Sequence, residues 1–370
     1  MSDPRFGTFF LPGPTEVRAE VLAAMNRPTI SHRGKAFESM FATIQAGLAE
    51  LFLTARPVYV MPASGTGAME AAVRNVAQGK ILSLVNGGFS ERFADVAESC
   101  GHAVTRLTVD AGETFELDRV EQALRGGGYA AVTFAHSETS TGVVSPVREL
   151  AALARTHGAL SLVDSVSGMG GAELCTDAWG LDFVFTASQK ALAIPAGLAF
   201  AVASPEYLER AKQSTTQGRY FDVAEFERFS AKHQTPTTPA LHLLYALDVQ
   251  LRNIHLEGIE RRWERHLAMR AATEAWVARV AERHRIPLRV LAREGARSPT
   301  VTAIVLPERV SPSQIVEEVS RRGYVIGGGQ PPVGKTTIRI GHMGDHTTDG
   351  LAFCLAAVEE ALAGATRFLK

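Results

Sequence analysis

Apolar and polar positions follow a regular order between residues 58 and 203. Short apolar, β-branched runs are separated by stretches with apolar residues at three- and four-residue spacing, the periodicity of a helix packed on one face. The runs predict strands at residues 80–85, 103–109, 129–135, 159–163, 182–185 and 198–202. The stretches predict helices at residues 68–76, 91–99, 118–124 and 147–157. This order favours an α/β fold with a mostly parallel, doubly wound sheet covered on both faces.

The pattern changes after residue 239. Residues 239–280 predict one long helix, and its charged run at 260–265 (ERRWER) is typical of a solvated helix face. A smaller α+β unit is then indicated, with strands at 288–291, 301–306, 324–326 and 337–340 and helices at 312–321 and 347–363. We therefore expect an N-terminal arm (1–14), a large domain (15–255) and a small C-terminal domain (256–370).

The composition changes this picture little. With 370 residues, 46% of them hydrophobic, and 33 glycines, the chain can bury a large core. Its 38 basic and 39 acidic residues give a formal charge of -1, which provides no electrostatic footprint for nucleic acid or an anionic membrane. Small metabolites are therefore the expected partners.

Cysteine spacing and the apolar runs indicate in which cellular compartment the protein is expected. The cysteines show no CxxC spacing, so neither a disulfide framework nor a metal site is expected; they are Cys100, Cys175 and Cys354. The start of the chain lacks a basic stretch followed by an apolar one, and the apolar run 191–203 is interrupted by Pro195 and Gly197. We expect a cytoplasmic protein without a targeting or membrane-spanning segment.

A lysine and an aspartate follow two of the predicted strands. Lys190 lies in residues 186–190 (TASQK), just after the apolar run 181–185, and Asp164 ends the strand before it. Because the carboxyl ends of parallel strands meet at one edge of a sheet, both side chains should reach the same place. An amine paired with an acid suggests a Schiff-base lysine serving pyridoxal phosphate, with Asp164 keeping the ring nitrogen protonated.

A glycine-containing loop precedes the first predicted helix of the sheet region. Residues 64–67 (SGTG) would present backbone N–H groups at a helix N-terminus, and the hydroxyl of Ser64 or Thr66 would add to a phosphate site. The alternative is an ordinary glycine-rich loop with a Ser or Thr cap. The loop alone does not decide between them.

Two further loops should reach the same edge of the sheet. Phe89, in residues 86–90 (NGGFS), is placed to stack on a flat cofactor ring, although a phenylalanine is more often core. Residues 136–142 (HSETSTG) gather hydroxyls, a carboxylate and an imidazole at the end of another strand, which suits substrate or cofactor contacts. A hydrogen-bonded turn is the other interpretation of that segment, and the two are compatible.

Arg339 is a candidate for carboxylate binding. It lies in residues 337–344 (TIRIGHMG), where alternation places it opposite its apolar neighbours. A planar guanidinium there is suited to clamp a substrate carboxylate with two hydrogen bonds. The alternative is an exposed arginine on an edge strand.

One nucleotide-binding motif is rejected. Residues 329–336 (GQPPVGKT) satisfy the pattern GxxxxGK[ST], but a phosphate loop runs into a helix, and the residues that follow are strand-like. Two prolines in the loop also remove N–H donors that a triphosphate cradle needs.

Taken together, these motifs make the chain similar to the class V aminotransferases of the fold type I pyridoxal phosphate enzymes, especially the alanine-glyoxylate and serine-glyoxylate group. The motifs that carry the resemblance are residues 11–15 (LPGPT), 64–67, 136–142, 163–165 (VDS), 188–190 (SQK), 235–239 (TPTTP) and 339–341 (RIG). The resemblance implies a fold type I transferase, in which a mostly parallel sheet forms a large domain beside a smaller α+β domain. It also implies a homodimer with the cofactor near the subunit interface.

The resemblance assigns roles to individual residues. Lys190 would form the Schiff base with pyridoxal 5'-phosphate, Asp164 would pair with its ring nitrogen, and Arg339 with Gly13 would bind the substrate carboxylate. Phe89 would stack on the ring, where relatives often carry tryptophan or tyrosine. The cofactor-binding set would be Ser64, Gly65, Thr66, Phe89, Thr139, Asp164, Val166, Gln189, Lys190 and, from the partner chain, Thr237. Relatives often add a partner tyrosine at the phosphate, and this chain has none around Gln234.

The activity implied is a ping-pong transamination from a small amino acid of the alanine or serine type to a small 2-oxo acid such as glyoxylate or pyruvate. A 2-aminoethylphosphonate:pyruvate aminotransferase is the closest alternative. A cysteine desulfurase-like lyase is less favoured, because Gln189 precedes Lys190 and Cys354 falls in a helical pattern. A catalytically silent interaction protein is a further alternative. The roles of His32, Arg33 and His342 stay unassigned.

Overall fold

A computed structural model describes residues 6–366, so the first five residues of the expected arm lie outside the described part of the chain. Its helices are α1 (Ala19–Ala24), α2 (Lys35–Phe52), α3 (Gly65–Arg74), α4 (Gly88–Ser99), α5 (Leu117–Arg125), α6 (Val147–Thr156), α7 (Pro205–Ala211), α8 (Val223–Ser230), α9 (Leu241–Glu257), α10 (Ile259–His284), α11 (Pro312–Arg321) and α12 (Thr348–Thr366). Its strands are β1 (Phe9–Phe10), β2 (Tyr59–Met61), β3 (Lys80–Val85), β4 (Ala103–Thr108), β5 (Tyr129–Ala135), β6 (Ser137–Glu138), β7 (Val143–Val144), β8 (Leu160–Asp164), β9 (Phe183–Ala187), β10 (Ala199–Ala203), β11 (Arg289–Val290), β12 (Val301–Val305), β13 (Val325–Gly328) and β14 (Thr337–Gly341).

A seven-stranded sheet forms the centre of the molecule, with the order β2-β10-β9-β8-β5-β3-β4. Strands β9, β8, β5, β3 and β4 are parallel, and β10 runs antiparallel to both of its neighbours. The six strands predicted for this region are all present, with ends that differ by at most two residues. The predicted α/β class, with a mostly parallel sheet, is therefore confirmed.

Helices cover both faces of this sheet, as the apolar runs of its strands require. Alternate residues of one strand enter different cores: Val163 and Val184 pack in one cluster, and Leu162 and Phe185 in the other. The first cluster includes residues of α2, α5, α6 and α9, and the second includes residues of α3, α4, α7 and α8. The loops at the carboxyl ends of the parallel strands are left as the place where polar side chains gather.

A second, five-stranded sheet has the order β1-β13-β14-β12-β11. Its core is shared with α10, α11 and α12. Strand β1 pairs in parallel with β13 through Phe9 and Phe10, and Phe10 is fully buried in this core. The described part of the expected N-terminal arm is thus an edge strand of the second sheet.

The prediction of one helix over residues 239–280 was wrong. The segment forms two helices, α9 and α10, which meet at Gly258 with φ +84°. A backbone angle in that region suits glycine and breaks the helical hydrogen-bond ladder. Ile259, at the start of α10, packs in the core of the large sheet, and Met269 of the same helix packs in the core of the second sheet. The boundary between the two cores therefore lies within α10. The division at residue 255 stays a prediction.

Among residues 6–366, none of the helices combines the length and the apolar character that a membrane crossing requires. Within the same range, no group of three or more His, Cys, Asp or Glu side chains is arranged to hold a metal ion.

Candidate active site

Lys190 and Asp164 meet at the carboxyl edge of the large sheet. Asp164 is the last residue of β8 and pairs in register with Phe185 of the neighbouring β9, whose chain continues to Lys190. Both border a cavity of about 230 Å³. Its lining consists of Ser64, Gly65, Thr66, Met69, Phe89, Arg92, Ser137, Thr139, Asp164, Val166, Ser167, Gln189 and Lys190. All predicted cofactor-binding residues except Thr237 are thus brought together by the fold.

The amine of Lys190 is buried beside an aromatic ring. Its Nζ donates a hydrogen bond to the carbonyl of Pro12 and lies 5.7 Å from the centroid of the Phe89 ring. Burial, reinforced by the positive charge of Arg339, lowers the pKa of Lys190 to about 8. A substantial neutral fraction is therefore present near neutral pH, as a nucleophile or general base requires.

Asp164 is buried with one oxygen held by the backbone. Its Oδ1 accepts a hydrogen bond from the amide of Val166 at 2.8 Å. Burial raises the pKa of Asp164 to about 7, against the smaller opposing effects of that hydrogen bond and of nearby cations. A cationic N–H placed against this carboxyl would therefore stabilise its charged form.

The N-terminus of α3 opens into the cavity. Ser64 is the N-cap, and its Oγ accepts a hydrogen bond from the amide of Gly67 at 3.3 Å. The amides of Gly65 and Thr66 are first-turn donors, which have no carbonyl partner within the helix. The cap that was posed as the alternative is present, and the anion site stays a prediction, because the amides of Gly65 and Thr66 belong to residues that border the cavity and are compatible with both.

A side chain opposite this helix end also lacks a partner. The Oε1 atom of Gln189 is buried and has no hydrogen-bond partner among the described residues. Gly65 permits the close packing here, because a Cβ atom on it would come within 2.9 Å of Val166. The amides of Gly65 and Thr66 are donors that suit an anion, whereas the unpaired Oε1 of Gln189 is an acceptor and needs a donor from a ligand.

Glu138 holds the loop that carries Phe89, a function that the sequence motifs did not reveal. Its fully buried carboxylate accepts hydrogen bonds from the amides of Phe89, Ser90 and Ser140 at 3.1, 2.9 and 3.0 Å, and also from the hydroxyls of Ser90 and Ser140. These donors include the first turn of α4, where a carboxylate is also favoured by the helix dipole. The sequence signal was a glutamate among hydroxyl residues at a strand end.

Four other residues reach the cavity without having been predicted: Met69, Arg92, Ser137 and Ser167. The hydroxyl of Ser167 is hydrogen-bonded to that of Thr139, which fixes both at the cavity wall. Arg92 stacks its guanidinium 5.0 Å from the centroid of Phe89. Residues 89 and 92 lie on one face of α4, so helical spacing was the available signal.

Arg339 is buried in the middle of the second sheet. Strand β14 lies between β12 and β13, which excludes the alternative of an exposed edge-strand arginine. Its Nε donates to the carbonyl of Gly328 at 2.8 Å, and its Nη1 donates to the carbonyl of Thr139 at 3.2 Å. Burial lowers the pKa of Arg339 to about 10, so it stays cationic at neutral pH. Arg339 does not border the cavity itself and reaches its rim through Thr139.

Gly13 lies against Lys190. It has φ +103°, and a Cβ atom built on it would collide with the Nζ atom of Lys190. The predicted substrate-binding position is therefore in contact with the reactive amine, and no larger residue fits there.

Thr237 lies outside the cavity of its own chain. Its carbonyl accepts a hydrogen bond from the hydroxyl of Thr235 at 2.7 Å, and Arg33 donates to the carbonyl of Thr235 at 2.7 Å. The neighbouring Thr238 and His32 border a separate cavity of about 350 Å³. A single chain thus does not bring this segment to Lys190.

The remaining candidates have structural surroundings. His342 is buried, contacts the hydroxyl of Thr302 at 2.8 Å, and has its pKa lowered to about 4 by burial. Cys354 is buried in α12 and borders none of the cavity at Lys190; burial raises the pKa of its thiol to about 12. A reactive thiolate of the desulfurase type is therefore not found at this position.

The rejection of the phosphate-loop motif is confirmed. The loop 329–336 leads into strand β14 rather than into a helix. It packs beside the Phe89 loop instead: a Cβ atom on Gly88 would lie 3.0 Å from the carbonyl of Pro331. Gln330, in the same loop, accepts a long hydrogen bond of 3.4 Å from Arg339.

Comparison with known proteins identifies a family. The sequence pattern of the family described as Aminotransferase class-V matches residues 13–342. The chain is 32% identical to the L-aspartate–glyoxylate aminotransferase of Paracoccus denitrificans and 32% identical to the serine–glyoxylate aminotransferase of Arabidopsis thaliana. Each alignment covers 95% of this chain and 89% of the relative. The crystal structure of an alanine–glyoxylate aminotransferase from Nostoc sp. superposes with a TM-score of 0.89 at 29% identity, covering 96% of this chain and 95% of the other.

Proposed function

The chain belongs to the class V aminotransferase family, and we propose that it uses pyridoxal 5'-phosphate to move an amino group from a small amino acid to a small 2-oxo acid. The observation that carries this proposal is the arrangement of a buried lysine, a buried aspartate and a helix N-terminus around one cavity. Each supplies what one part of that cofactor needs. The alternation of an amino donor and an oxo acceptor in one site makes the reaction ping-pong.

The residues present fit the cofactor. The Phe89 ring offers a stacking surface for a flat heterocycle, and Asp164 offers a carboxyl for a ring N–H. The amides of Gly65 and Thr66 offer donors to a phosphate, together with the side chain of Gln189. The bare chain leaves Oε1 of Gln189 buried without a partner among its described residues, and this acceptor is open to a donor on the ligand, not to the phosphate oxygens.

Bound pyridoxal phosphate supplies an aldehyde carbon that condenses with amines and a protonated ring that accepts electrons. Lys190 would supply the amine that gives way to the amino donor and that takes the proton from the donor's α carbon. Asp164 would hold a protonated ring nitrogen, because its buried carboxylate would be stabilised by that N–H. Arg339, which reaches the cavity rim through Thr139, would orient the substrate carboxylate there and so bring the α carbon toward Lys190.

The acceptor is inferred from what the relatives share. The three relatives described above are named for aspartate, serine and alanine as donors, whereas glyoxylate occurs in every name. We therefore infer glyoxylate, or the similarly small pyruvate, as the acceptor, and a small amino acid such as alanine or serine as the donor. Pocket shape is worth only about 1 to 3 kcal/mol per methylene, so several donors should be turned over.

A homodimer completes the site in this proposal. Thr238 is exposed and Thr237 is partly exposed, and a phosphate at α3 would gain donors if a second copy presented this segment to it. The cysteines are free thiols, which supports a reducing cytoplasm as the location.

The visible absorption spectrum of the purified protein tests the proposal. We expect a cofactor band near the visible region that is lost on adding alanine or serine and is restored by glyoxylate. Lys190→Ala should fold but turn over no substrate, since no other amine reaches the cavity among the described residues. Wild-type protein that gains no band from added pyridoxal phosphate, or full turnover by Lys190→Ala, would contradict the proposal.

A further inference from the structure

Arg262 is the largest fully buried side chain of the described residues, and it lies at the junction between the two sheets. It belongs to the first turn of α10, and only 1% of it is exposed, so the solvated face predicted for residues 260–265 is wrong at this position. Its Nη1 donates to the carboxylate of Glu257 at 2.7 Å. Its Nη2 donates to the carbonyl of Ala191 at 2.6 Å and lies 2.9 Å from Oδ1 of Asp345. One guanidinium therefore bridges three separate segments.

Two of those segments carry the active-site cations. Ala191 is the residue directly after Lys190, and Asp345 lies four residues after β14, the strand that holds Arg339. Residues 191 and 345 are far apart in the chain, so Arg262 is a direct link between the lysine segment and the segment that follows the arginine strand. The third segment, at Glu257, ends α9 and anchors the guanidinium itself.

Further contacts hold this junction from the other sides. Asp345 also accepts hydrogen bonds from Gln250 at 3.0 Å and from Arg18 at 3.1 Å. The N-terminal segment adds a second link, because the amide of Thr15 donates to the carbonyl of Gln189 at 2.8 Å and its hydroxyl donates to the carbonyl of Met343 at 3.3 Å. The lysine segment is therefore held on both sides against residues 343–345.

We propose that Arg262 is a positioning residue for transamination, and that its guanidinium fixes the backbone after Lys190 relative to the strand that carries Arg339. This inference rests on the proposed function, because it concerns the two side chains assigned there to the amine and to the carboxylate. Arg262 itself does not border the cavity and touches no reacting atom. It acts by keeping the distance between Nζ of Lys190 and the guanidinium of Arg339 constant.

The alternative to positioning is a purely structural ion pair, and the two make different predictions. Removing one partner of a buried pair leaves an uncompensated charge, whereas removing both partners is often neutral for stability. If the ion pair were purely structural, removing both charges would restore both stability and activity. If Arg262 is a positioning residue, activity would stay low, because the carbonyl of Ala191 would still lack its donor.

The experiment compares Arg262→Met with the double variant Arg262→Met/Asp345→Asn in the cofactor-loaded protein. We expect Arg262→Met to lower both Tm and kcat, and the double variant to regain most of the Tm while kcat stays about 10- to 100-fold below wild type, as for small displacements of reacting groups. KM for the oxo acid should change less than kcat, because Arg339 keeps its bonds to Gly328 and Thr139. Recovery of kcat together with Tm would overturn the proposal.

Arg265→Met is the matched control. Arg265 lies on the same helix, shares Glu257, and donates to the carbonyls of Gly344 and His346, but it makes no contact with residues 189–191. It should lower Tm and leave kcat close to the wild-type value. A loss of kcat as large as that of the Arg262 double variant would assign the effect to the helix as a whole.

Hydrogen–deuterium exchange separates this inference from the proposed function, because it requires no turnover. The amides of Ala193 and Ile194 bond back to the carbonyls of Lys190 and Ser188. In the Arg262→Met/Asp345→Asn variant, peptides covering 188–194 should exchange faster, while those of α11 stay as in wild type. Unchanged protection of 188–194 would overturn the positioning role even if the wild-type protein transaminates. Faster exchange in a protein that does not transaminate would show that Arg262 holds this segment while the proposed function fails.

Discussion

Lys190 shows how one burial changes the chemistry of a side chain. In water its amine would be almost fully protonated at neutral pH, but here desolvation and the charge of Arg339 lower the pKa to about 8. Asp164, which borders the same cavity, shifts in the opposite sense, because burial disfavours its carboxylate. Both shifts enlarge the neutral fraction of each group at neutral pH, although Lys190 with a pKa of about 8 is still mostly protonated there.

The pH dependence of cofactor association follows from the lysine. Only a neutral amine condenses with an aldehyde, so the rate should rise with pH and level off above about 8, rather than continue to rise toward 10.5 as for an exposed lysine. Stopped-flow absorbance after mixing apo-protein with pyridoxal phosphate at a series of pH values measures this. A rate that still climbs at pH 10 would show that Lys190 is not desolvated.

Arg339→Ala should strongly raise KM for the oxo acid and should change the affinity for the cofactor much less. Loss of a buried, hydrogen-bonded charge partner costs on the order of 2 to 4 kcal/mol. Steady-state kinetics with glyoxylate measure the change, and Arg339→Lys is the control, because it keeps the charge but loses the planar fork. An unchanged KM in the alanine variant would remove the carboxylate-binding assignment.

At the scale of elements, the site is formed by the ends of strands and helices, and hydrogen bonds to backbone amides hold these ends together. The end of β8, the end of β9 and the start of α3 each provide one group, and Glu138 fastens the start of α4 beside them. The positions of these ends depend on the sheet order, which places β8 between β5 and β9. The side chains have well-defined positions because the elements that carry them are buried.

Glu138→Ala tests the element that carries Phe89. The substitution leaves three amides and two hydroxyls without their acceptor, so we expect a loss of about 2 to 5 kcal/mol in the free energy of unfolding and weaker cofactor retention. Denaturant unfolding and dialysis against buffer measure the two effects. The control is Glu227→Ala, which removes the hydrogen bond of 2.6 Å from Tyr59 away from the cavity and should cost stability without releasing cofactor. Equal release by both variants would refute the role given to Glu138.

At the scale of the whole molecule, a single chain holds most of the cavity but not residues 235–239. Thr235 of that segment is buried and accepts a hydrogen bond from Arg33, whereas Thr237 is partly exposed and Thr238 is exposed. If a second copy inserts it, each active site belongs to two chains, and a lesion on one chain affects the site of the other.

Subunit mixing tests this arrangement. A Lys190→Ala chain and a Thr237→Val/Thr238→Val chain should each be impaired, but a mixed dimer contains one site with both lesions and one with neither. After random exchange of equal amounts, about a quarter of the sites should be intact, so activity should exceed the mean of the two parents. Activity equal to the mean of the parents would indicate that the threonines serve their own chain.

Local periodicity was sufficient for six of the seven strands of the large sheet and for part of the site, and the short edge strand β2 was not predicted. Most of these strands are buried and stand out as short apolar runs, and Lys190 and Asp164 follow from their positions after two of those runs. Phe89 was found for the same reason, whereas Ser64 to Thr66 were found as a glycine-containing loop before a predicted helix. These features depend on residues close together in the chain, where an amino-acid pattern carries the information.

The tertiary structure decided the features that depend on distant residues. The break at Gly258 lies inside a continuous helical pattern, and the burial of Arg339 results from β12 and β13, which pair on either side of β14. The role of Glu138 depends on the amides of Phe89 and Ser90, 49 and 48 residues away, and that of Arg262 on contacts with residues 191 and 345. Such contacts join groups that no local sequence pattern relates. The interaction energy of a buried charge depends on the groups that surround it in space and not on its neighbours along the chain.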